Sequence, residues 1–453
     1  MNPAWVRSLI YPLHERLRGR PTFGNLRDLE RSQWLSAQAL RQLQTVKLSD
    51  LLRHARRNCP YYAALLSRHG QSYSPNDPWS ELAQLPLLDK PTIRSHLQDM
   101  IWHDAPGGLH ESVTGGSTGQ PLRFIFDRRR QAFDKAARMR THRWFGVDVG
   151  DKEVYLWGSP LEVRRQDRVR NFRDRLTNEL LLSAFHLAPE RMDRYFDRIV
   201  RYDPACLFGY PSSLHLLCQH GRSVNRSVRP PSLRAVFATG ELLDPQQARA
   251  IGEYFGVPVA NGYGSREAGF IAHDCPAGSM HITDENLIVE ILDDSGQSLP
   301  DGQSGEVVIT HLDAYAMPLI RYRTGDCGRR LPGSCSCGRG LGRMEIVGGR
   351  RTDHLVGTDG KLVHGLAVIY PLRELDCVQR FEVFQHRSKV VDVRIVPTSG
   401  FGDGHRQQIE KAVRNRLGAG SRVNVQLVEH IAKTSSGKHR QVVSDAAAAK
   451  GLL

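Results

Sequence analysis

Apolar positions at helical spacing dominate the first hundred residues. In the stretch VKLSDLLRHA, Leu48, Leu51, Leu52 and Ala55 recur every three or four residues and form one apolar face. Pro60 follows, and a proline disfavours helical geometry at the residue before it. The pattern therefore predicts a mainly helical part over residues 1–100, with one helix ending just before Pro60.

The pattern changes between about residue 112 and residue 350, where short apolar runs end at Gly or Pro. Runs of this kind lie at 153–158, 206–211, 233–240 and 257–264. Because helical segments separate them, they predict an α/β sheet, and loops at the carboxyl ends of such strands build ligand sites. Two later runs, LIVEILD and GEVVITHL, alternate between turn signals. They predict an antiparallel, β-rich part.

A domain boundary is predicted near 345–355. Beyond it, one strand face and one helix face are apolar, and these faces consist of Val391, Val393 and Ile395 and of Ile409, Val413 and Leu417. The prediction is a large α/β domain over 1–349, with mixed sheets flanked by helices, and a small α+β domain over 350–453.

Composition and charge narrow the class of protein. The chain has 453 residues, 40% of them hydrophobic, and a net charge of +14. The basic run at 164–176 interleaves Asp167 and Asp174 and has one aromatic residue, which is typical of an exposed helix face and not of a nucleic-acid platform. A solvated basic surface is favoured over nucleic acid or an anionic membrane surface as the reason for the charge.

No targeting signal is recognised in the sequence, so the cytoplasm is the expected location. No apolar run reaches about 18 residues, so no transmembrane helix and no stable membrane insertion are expected. Arginine and histidine interrupt the apolar patch of the first residues, MNPAWVRSLIYPLHERLRG, so a signal peptide is not predicted.

The stretch VTGGSTGQP at 113–121 combines glycines with hydroxyl side chains. Glycines let backbone N–H groups surround an anion, and hydroxyls add further donors. The loop is therefore a candidate phosphate cradle, with a plain surface turn as the alternative. No Gly-Lys-Ser/Thr ending follows, so it is not a Walker A loop.

Further motifs follow in a fixed order. NGYGSREAG carries Tyr263 and Glu267, YRTGD carries Asp326, GGRRTDHL carries Arg350, and KTSSGKHR carries Lys438. An aromatic ring can stack on a base, and a carboxylate can hold Mg²⁺ or accept hydrogen bonds from ribose. Each motif alone has an ordinary turn as its alternative.

In this order the motifs resemble those of the adenylate-forming enzymes, and most closely the phenylacetate–CoA ligase family with its capsule-biosynthesis branch. NCPYYAALL, LPLLDKPTIR and YGSREAG also carry the resemblance, which spans roughly residues 30 to 443. It implies activation of a carboxylic acid by ATP to acyl-AMP and pyrophosphate. The small domain would be mobile and would rotate about a hinge near Thr352 and Asp353.

The resemblance also implies roles for single residues. The phosphate loop would bind ATP through Thr114, Gly115, Gly116, Ser117, Thr118 and Gly119. Around the nucleoside it would place Gly240, Glu241, Tyr263, Gly264, Ser265, Asp326 and Arg350. Glu267 would position Mg²⁺, and Lys438 would bridge the carboxylate and the α-phosphate. Trp157, Phe185 and Tyr210 are candidates for the acid pocket, with plain core as their alternative.

One departure from the family pattern concerns Arg266, which stands where relatives carry Ser or Thr. As a candidate catalytic residue it would contact the α-phosphate. Holding the neighbouring loop is an equally good alternative.

Cysteines suggest a second site. Cys275, His281, Cys335 and Cys337 form a Cys₃His set that suits tetrahedral Zn²⁺ in a structural role. Cys327 or His273 are alternative fourth ligands, and buried free thiols are the alternative to a metal site.

The leading hypothesis is a ligase that uses ATP and Mg²⁺ and transfers the acyl group to CoA, a carrier-protein thiol or an amine. A role in capsule polysaccharide or secondary metabolism is an analogy. The alternatives are adenylation of a hydroxyl group and a catalytically silent nucleotide-binding relative.

Overall fold

The computed structural model describes most of the chain. Its described residues are 1–68, 77–113, 122–157, 176–184, 187, 189–350, 354–360, 362–364, 368, 371–372, 375, 377–431 and 442–448. Within these ranges, no helix is both long and apolar enough to cross a membrane.

The N-terminal part is helical, as its spacing predicts. Its helices are α1 (Pro3–Trp5), a π-helical turn (Val6–Ile10), α2 (Tyr11–Leu17), α3 (Thr22–Ser32), α4 (Ala37–Asn58), α5 (Pro60–Arg68), α6 (Pro78–Gln84), α7 (Lys90–Ser95) and a 3₁₀ turn (Gln98–Met100). Helix α4 ends just before Pro60, and its predicted apolar face is buried. These helices cover one face of the β-structure that follows.

The central feature is an 11-stranded mixed sheet. A hairpin, β1 (His110–Val113) and β2 (Arg123–Phe126), and helix α8 (Arg128–Arg143) precede it. Its parallel half consists of β3 (Glu153–Trp157), β4 (Glu179–Ser183), β5 (Cys206–Gly209), β6 (Ala235–Thr239) and β7 (Val259–Ser265), in the order β4-β3-β5-β6-β7. Helices α9 (Pro189–Tyr202), α10 (Pro211–Ser223) and α11 (Pro245–Phe255) connect these strands.

The antiparallel half continues the same sheet beyond β7. Its strands are β8 (Gly269–Asp274), β9 (Met280–Ile282), β10 (Leu287–Leu292), β11 (Gly305–His311), β12 (Tyr322–Leu331) and β13 (Arg343–Arg350), in the order β8-β9-β13-β12-β11-β10. The predicted parallel and β-rich parts therefore form one continuous sheet. Backbone pairing across β7 and β8 joins them.

A smaller α+β unit follows, as predicted. It has the hairpin β14 (His354–Val356) and β15 (Leu362–His364), and a four-stranded sheet ordered β18-β17-β16-β19. Its remaining elements are β16 (Val378–Gln385), β17 (Val391–Pro397), α12 (Asp403–Leu417), β18 (Val423–Leu427), β19 (Val442–Ser444) and α13 (Asp445–Ala448). The apolar faces that the sequence predicts for β17 and α12 are buried in one core.

Helix α8 ties the N-terminal helices to the sheet through a buried ion pair. Arg140 is 1% exposed, and its Nη1 lies 2.5 Å from Glu285 Oε1. The same guanidinium donates to the carbonyl of Leu29 in α3, and Ser32 donates to Glu285. A charge buried this deeply is stable only while its partner is present. The pair therefore fixes how α3, α8 and the sheet meet.

We expect Arg140→Met to lower the free energy of unfolding by about 3–5 kcal/mol, because it leaves the Glu285 carboxylate buried without its cation. Urea titration followed by circular dichroism measures this loss. Arg222→Met is the matched control, since Arg222 pairs with Glu253 in an exposed position, and such a pair contributes only about 0–1 kcal/mol. Equal losses in the two variants would contradict the assignment.

Candidate functional site

The carboxyl ends of the parallel strands carry an aromatic wall. Trp157 is the last residue of β3, and Tyr210 directly follows β5. Their rings stack with centroids 4.0 Å apart and planes 18° apart. Since parallel strands present their carboxyl ends along one edge of a sheet, this wall lies where the fold places a ligand site. Phe185, the third residue predicted for this pocket, lies outside the described residues.

Gly240 completes the wall, because it follows β6 at the same edge. Its φ of +83° is unfavourable for side chains other than glycine. A Cβ atom there would lie 3.0 Å from the Tyr210 ring and 3.2 Å from the Trp157 ring. Glycine therefore lets the backbone turn close against both rings. Glu241 comes next and is half-buried.

Tyr263 and Asp326 meet at the site although their strands are not neighbours. The Tyr263 hydroxyl donates to Asp326 Oδ2 over 3.0 Å. Strands β8, β9 and β13 separate β7 from β12 in the sheet order, so the sheet must curve for this contact to form. The bond fixes the tyrosine ring beside the carboxylate. Two predicted nucleoside residues are thus brought together.

Glu267 lies in the tight turn between β7 and β8. It is 4% exposed, and its Oε1 accepts a hydrogen bond of 3.0 Å from the hydroxyl of the fully buried Tyr322. In the same turn, Ser265 accepts from the Ala268 amide, and a Cβ atom at Gly264 would lie 2.5 Å from the Gly269 carbonyl oxygen. The carboxylate is therefore held in one orientation.

Arg266 joins this turn to the β1–β2 hairpin. Its Nη1 donates to the carbonyl of Val113 over 3.2 Å. Val113 is the last described residue before the Gly/Ser/Thr loop. From the other side, the buried Arg130 donates to the carbonyl of Arg266 over 2.8 Å. The contact is compatible with holding the loop, and both roles considered for Arg266 stay predictions.

The predicted Gly/Ser/Thr loop, hinge and catalytic lysine are not among the described residues. Thr114, Gly115, Gly116, Ser117, Thr118, Gly119, Thr352, Asp353 and Lys438 lie outside the described residues. Arg350 is described by its backbone, which pairs with Asp326 across β13 and β12. This register places the two positions predicted to hold the ribose directly opposite each other.

The four predicted metal ligands form one cluster. The donor atoms of Cys275, His281, Cys335 and Cys337 all lie within 4.8 Å of one another. Cys275 Sγ is 3.7 Å from Cys335 Sγ, and Cys337 Sγ is 3.2 Å from His281 Nε2. Cys327 and His273, the alternative ligands, are not members of this group.

The electrostatics of the cluster differ between its members, since burial raises the pKa of Cys275 to about 11 while His281 and Cys335 are shifted toward the forms that bind a metal. Burial lowers the pKa of His281 to about 4, so the ring is neutral near pH 7. Its Nδ1 lies 3.2 Å from the carbonyl of Leu341, and donation there leaves the lone pair on Nε2, which faces Cys337. Burial pushes the pKa of Cys335 upward, but hydrogen bonds from Ser279 and Cys337 outweigh it and bring the value to about 7. The thiolate is the form that binds a metal.

Two positioning residues escape the sequence prediction. Tyr322 donates a hydrogen bond to Glu267 and belongs to the same YRTGD motif as Asp326. Its position at the start of a strand was the signal that could have identified it. Arg130 holds Arg266 from a run of three arginines, and nothing in that run singles it out.

Comparisons with known proteins identify two domains in the chain. The family profile for AMP-binding enzymes matches residues 180–313, and that for the CapK C-terminal domain matches residues 355–445. Protein CapK from Staphylococcus aureus is 22% identical, covering 89% of each chain. Phenylacetate-coenzyme A ligase from Thermus thermophilus is 24% identical, covering 71% of this chain and 73% of its own.

Solved structures share the fold. A 2-hydroxyisobutyryl-CoA ligase in the postadenylation state superposes with a TM-score of 0.73 at 20% identity, covering 93% of each chain. The amide bond synthetase McbA from Marinactinospora thermotolerans gives a TM-score of 0.53 at 20% identity, covering 77% of this chain and 71% of its own. With the two profile matches, the chain has an AMP-binding domain and a CapK C-terminal domain, and it is similar to adenylate-forming ligases of the phenylacetate–CoA ligase and CapK type.

We expect Arg266→Ala to weaken ATP binding about fivefold, because it removes one hydrogen bond of about 1 kcal/mol from the base of the phosphate loop. Isothermal titration calorimetry measures the affinity. Arg266→Lys should recover part of it, and the exposed Arg249→Ala on α11 is the control. Unchanged ATP affinity in Arg266→Ala would show that the contact to Val113 does not shape the loop.

Proposed function

We propose that this protein activates a carboxylic acid with ATP and transfers the acyl group to CoA. The observation that carries the proposal is the joint position of Tyr263, Asp326 and Glu267 at the carboxyl edge of the sheet, beside the base of the Gly/Ser/Thr loop. The aromatic ring suits the adenine of ATP, the Asp326 carboxylate suits its ribose, and the Glu267 carboxylate suits the Mg²⁺ at its phosphates. The relatives named phenylacetate-coenzyme A ligase support CoA as the acceptor.

ATP binding divides among these residues. The Tyr263 ring stacks on adenine, and its hydroxyl bond keeps the Asp326 carboxylate beside the ring, where ribose hydroxyls reach it. Arg350, opposite Asp326 in the register, supports the same sugar. Gly240 and Glu241 line the adenine side. The hydroxyls and amides of the loop from Thr114 to Gly119 take the β- and γ-phosphates.

The carboxylate of Glu267 is suited to bind Mg²⁺. Its carboxylate oxygen Oε1 is anchored by Tyr322, so the group is already oriented when the metal arrives. Mg²⁺ takes one or two carboxylates together with substrate phosphates. When bound, the ion neutralises charge on the phosphates. The chain's contribution is to hold this carboxylate next to the phosphate loop.

Charge is also the central problem of the first half-reaction. The substrate carboxylate attacks the α-phosphorus, and pyrophosphate leaves from the other side. Both reactants are anionic, so a cation must offset their repulsion. Lys438 in the Ser-Gly-Lys motif is the residue that we assign to this role, and it falls within the segment matched by the CapK C-terminal profile. Its place in a separate domain allows the cation to leave before thiol attack.

The acid is proposed to lie against the wall formed by Trp157 and Tyr210. The wall stands at the sheet edge that carries the nucleotide residues, so an acid there reaches the α-phosphate. Aromatic faces favour flat apolar groups. Phe185 is assigned to the same pocket from its position in the sequence.

Pyrophosphate release over a panel of aryl, fatty, hydroxy and amino acids tests the function. We expect release with one acid class and a loss of about 10²–10³-fold in Lys438→Ala, the size that follows removal of one group stabilising transition-state charge. Lys411→Ala, an exposed lysine on α12, is the matched control and should keep full activity. Adding CoA should then consume the acyl-AMP.

Acid-independent release, or equal rates in Lys438→Ala and Lys411→Ala, would contradict the assignment. ATP binding without release for any acid would instead favour the silent relative. A silent relative is not favoured at present, because Glu267 keeps its oriented carboxylate and Asp326 keeps its contact with Tyr263.

We also propose that the Cys275, His281, Cys335 and Cys337 cluster holds one structural Zn²⁺. Two thiolates bound to one tetrahedral zinc at about 2.3 Å lie about 3.8 Å apart, and the Cys275 and Cys335 sulfurs are separated by 3.7 Å. The ligands join the β8–β9 turn and strand β9 to the β12–β13 connection. Four protein ligands leave no open position, so the ion stabilises the fold and takes no part in catalysis.

Zinc content checks this proposal. We expect elemental mass spectrometry to find about one zinc per chain in protein purified without added metal. Cys335→Ser and Cys275→Ser should lose the metal and unfold at lower temperature. Cys327→Ser, which lies outside the cluster, should retain it. Zinc-free protein with unchanged stability in Cys275→Ser would exclude the site.

A further inference from the structure

The N-terminal helical segment carries its apolar side chains on the outside. Met1, Trp5, Leu9, Leu13 and Leu17 are 51%, 67%, 61%, 51% and 79% exposed. They recur every four residues along the segment and form one row, which we call the outer stripe. Elsewhere in the described ranges, the exposed large apolar residues are Trp34, Leu35, Val46, Val200, Val224 and Leu427, and they form no comparable periodic row.

The inner face of the same segment combines the fully buried Val6 and the ring of Tyr11, which packs on Phe23, with engaged polar groups. Arg7 donates to the Val149 carbonyl and pairs with Asp148. Glu15 is 1% exposed and accepts from the Thr22 hydroxyl over 2.6 Å and from Lys135 over 2.9 Å. A surface helix of a globular protein normally turns its apolar face to the core. Here Val6 and the polar contacts already attach the inner face, so the outer stripe is not needed to attach the segment.

A π-helical turn keeps the stripe straight. In an α-helix, residues four apart drift by about 40° around the axis. The turn Val6–Ile10 is wider, with the Tyr11 amide bonded to the Val6 carbonyl, and it offsets this drift over the first half of the segment. Pro12 has no N–H for the Ser8 carbonyl, which accounts for the break in the α-helical ladder. Trp5, Leu9 and Leu13 therefore share one line.

The charge around the stripe is positive. Arg16 and Arg18 are exposed at its end, next to Leu17. Glu15 is the sole acidic residue among residues 1–21, and it is buried and bonded. A partner of the stripe would therefore contact leucines, a tryptophan and arginines whose charge no exposed acidic residue of this segment balances. The chain as a whole adds a net charge of +14.

We propose that the outer stripe docks on an anionic lipid bilayer, with Trp5, Leu9, Leu13 and Leu17 in the boundary between headgroups and acyl chains. Interfacial helices combine an apolar face with basic residues and bind in proportion to buried apolar area and to lipid charge. The segment Pro3–Leu17 is about 22 Å long at the rise of an α-helix. It lies along the surface and does not span the hydrocarbon core of about 30 Å.

Lipid fits the stripe better than a second copy of this chain does. Two copies would approach with the same net positive charge, which opposes association. A single row of side chains is also narrow for a stable protein interface, which buries about 800 Å² on each partner. An anionic bilayer removes both difficulties, because it supplies the opposite charge and accepts a narrow apolar row.

Vesicle co-sedimentation of the full chain tests the proposal. The probes are vesicles of phosphatidylglycerol with phosphatidylcholine and vesicles of phosphatidylcholine alone. We expect binding to the anionic vesicles to be at least about tenfold stronger and to weaken as salt is added. The triple variant Trp5→Gln, Leu9→Gln, Leu13→Gln keeps every charge and should bind the anionic vesicles at least about tenfold more weakly.

Matched controls separate the stripe from general effects. Val46→Gln, Val200→Gln and Val224→Gln replace exposed apolar residues on other elements, and this triple variant should bind like the unmodified chain. Arg16→Gln with Arg18→Gln tests the charge and should reduce binding to the anionic vesicles. Since these residues are exposed, far-ultraviolet circular dichroism should match in all variants; if the stripe variant misfolds, Leu17→Gln alone takes its place.

Two results would overturn the proposal. The first is the absence of binding to anionic vesicles, or binding that the stripe variant retains in full, which would leave charge alone as the cause. The second is a concentration-dependent dimer in sedimentation velocity that only the stripe variant abolishes, with no vesicle binding. That result would assign the stripe to a second copy of this chain.

Discussion

Two buried arginines of helix α8 set the conditions under which the rest of the large domain assembles. Arg140 is neutralised by Glu285, and Arg130 lies 3.5 Å from Asp134 and donates to the Arg266 carbonyl. A guanidinium cannot lose its charge in a protein, so each must find its partners inside the fold. One helix thereby fixes the N-terminal helices against the sheet and the β7–β8 turn against the β1–β2 hairpin.

Curvature of the mixed sheet then brings together the residues of the proposed nucleotide site. The parallel half presents Trp157, Tyr210 and Gly240 along its carboxyl edge. The antiparallel half returns Asp326 to the Tyr263 hydroxyl, although three strands separate the two in the sheet order. A flat sheet would hold these groups apart. The one continuous sheet therefore joins the edge proposed to bind the acid to the strand proposed to bind the ribose.

The N-terminal segment shows how local sequence and tertiary role can differ. Its leucines recur at a spacing that ordinarily predicts a core-facing helix. Arg7 and Glu15 take the inner positions instead, because Asp148, Lys135 and Thr22 offer them charged and polar partners there. Ion pairs, hydrogen bonds and the buried Val6 thus attach this segment, and the apolar row remains for another partner.

The sequence by itself determined the elements, the fold class and the kind of chemistry. Periodicity located α4, β17 and α12, Pro60 ended α4, and the order of motifs named Tyr263, Glu267 and Asp326. These signals are local, since each depends on spacing or on backbone preferences within a few residues. The cluster of Cys275, His281, Cys335 and Cys337 could also be predicted from residue type, because few side chains suit a tetrahedral metal.

Tertiary structure decided what depends on contacts between distant residues. Tyr322 as the partner of Glu267, Arg130 as the support of Arg266, and the bond from Arg266 to Val113 each join residues that are far apart in the chain. The orientation of the first helical segment likewise depends on which groups of α8 and α3 lie beneath it. No periodicity encodes such pairings, because desolvation and charge neutralisation act only once the chain has folded.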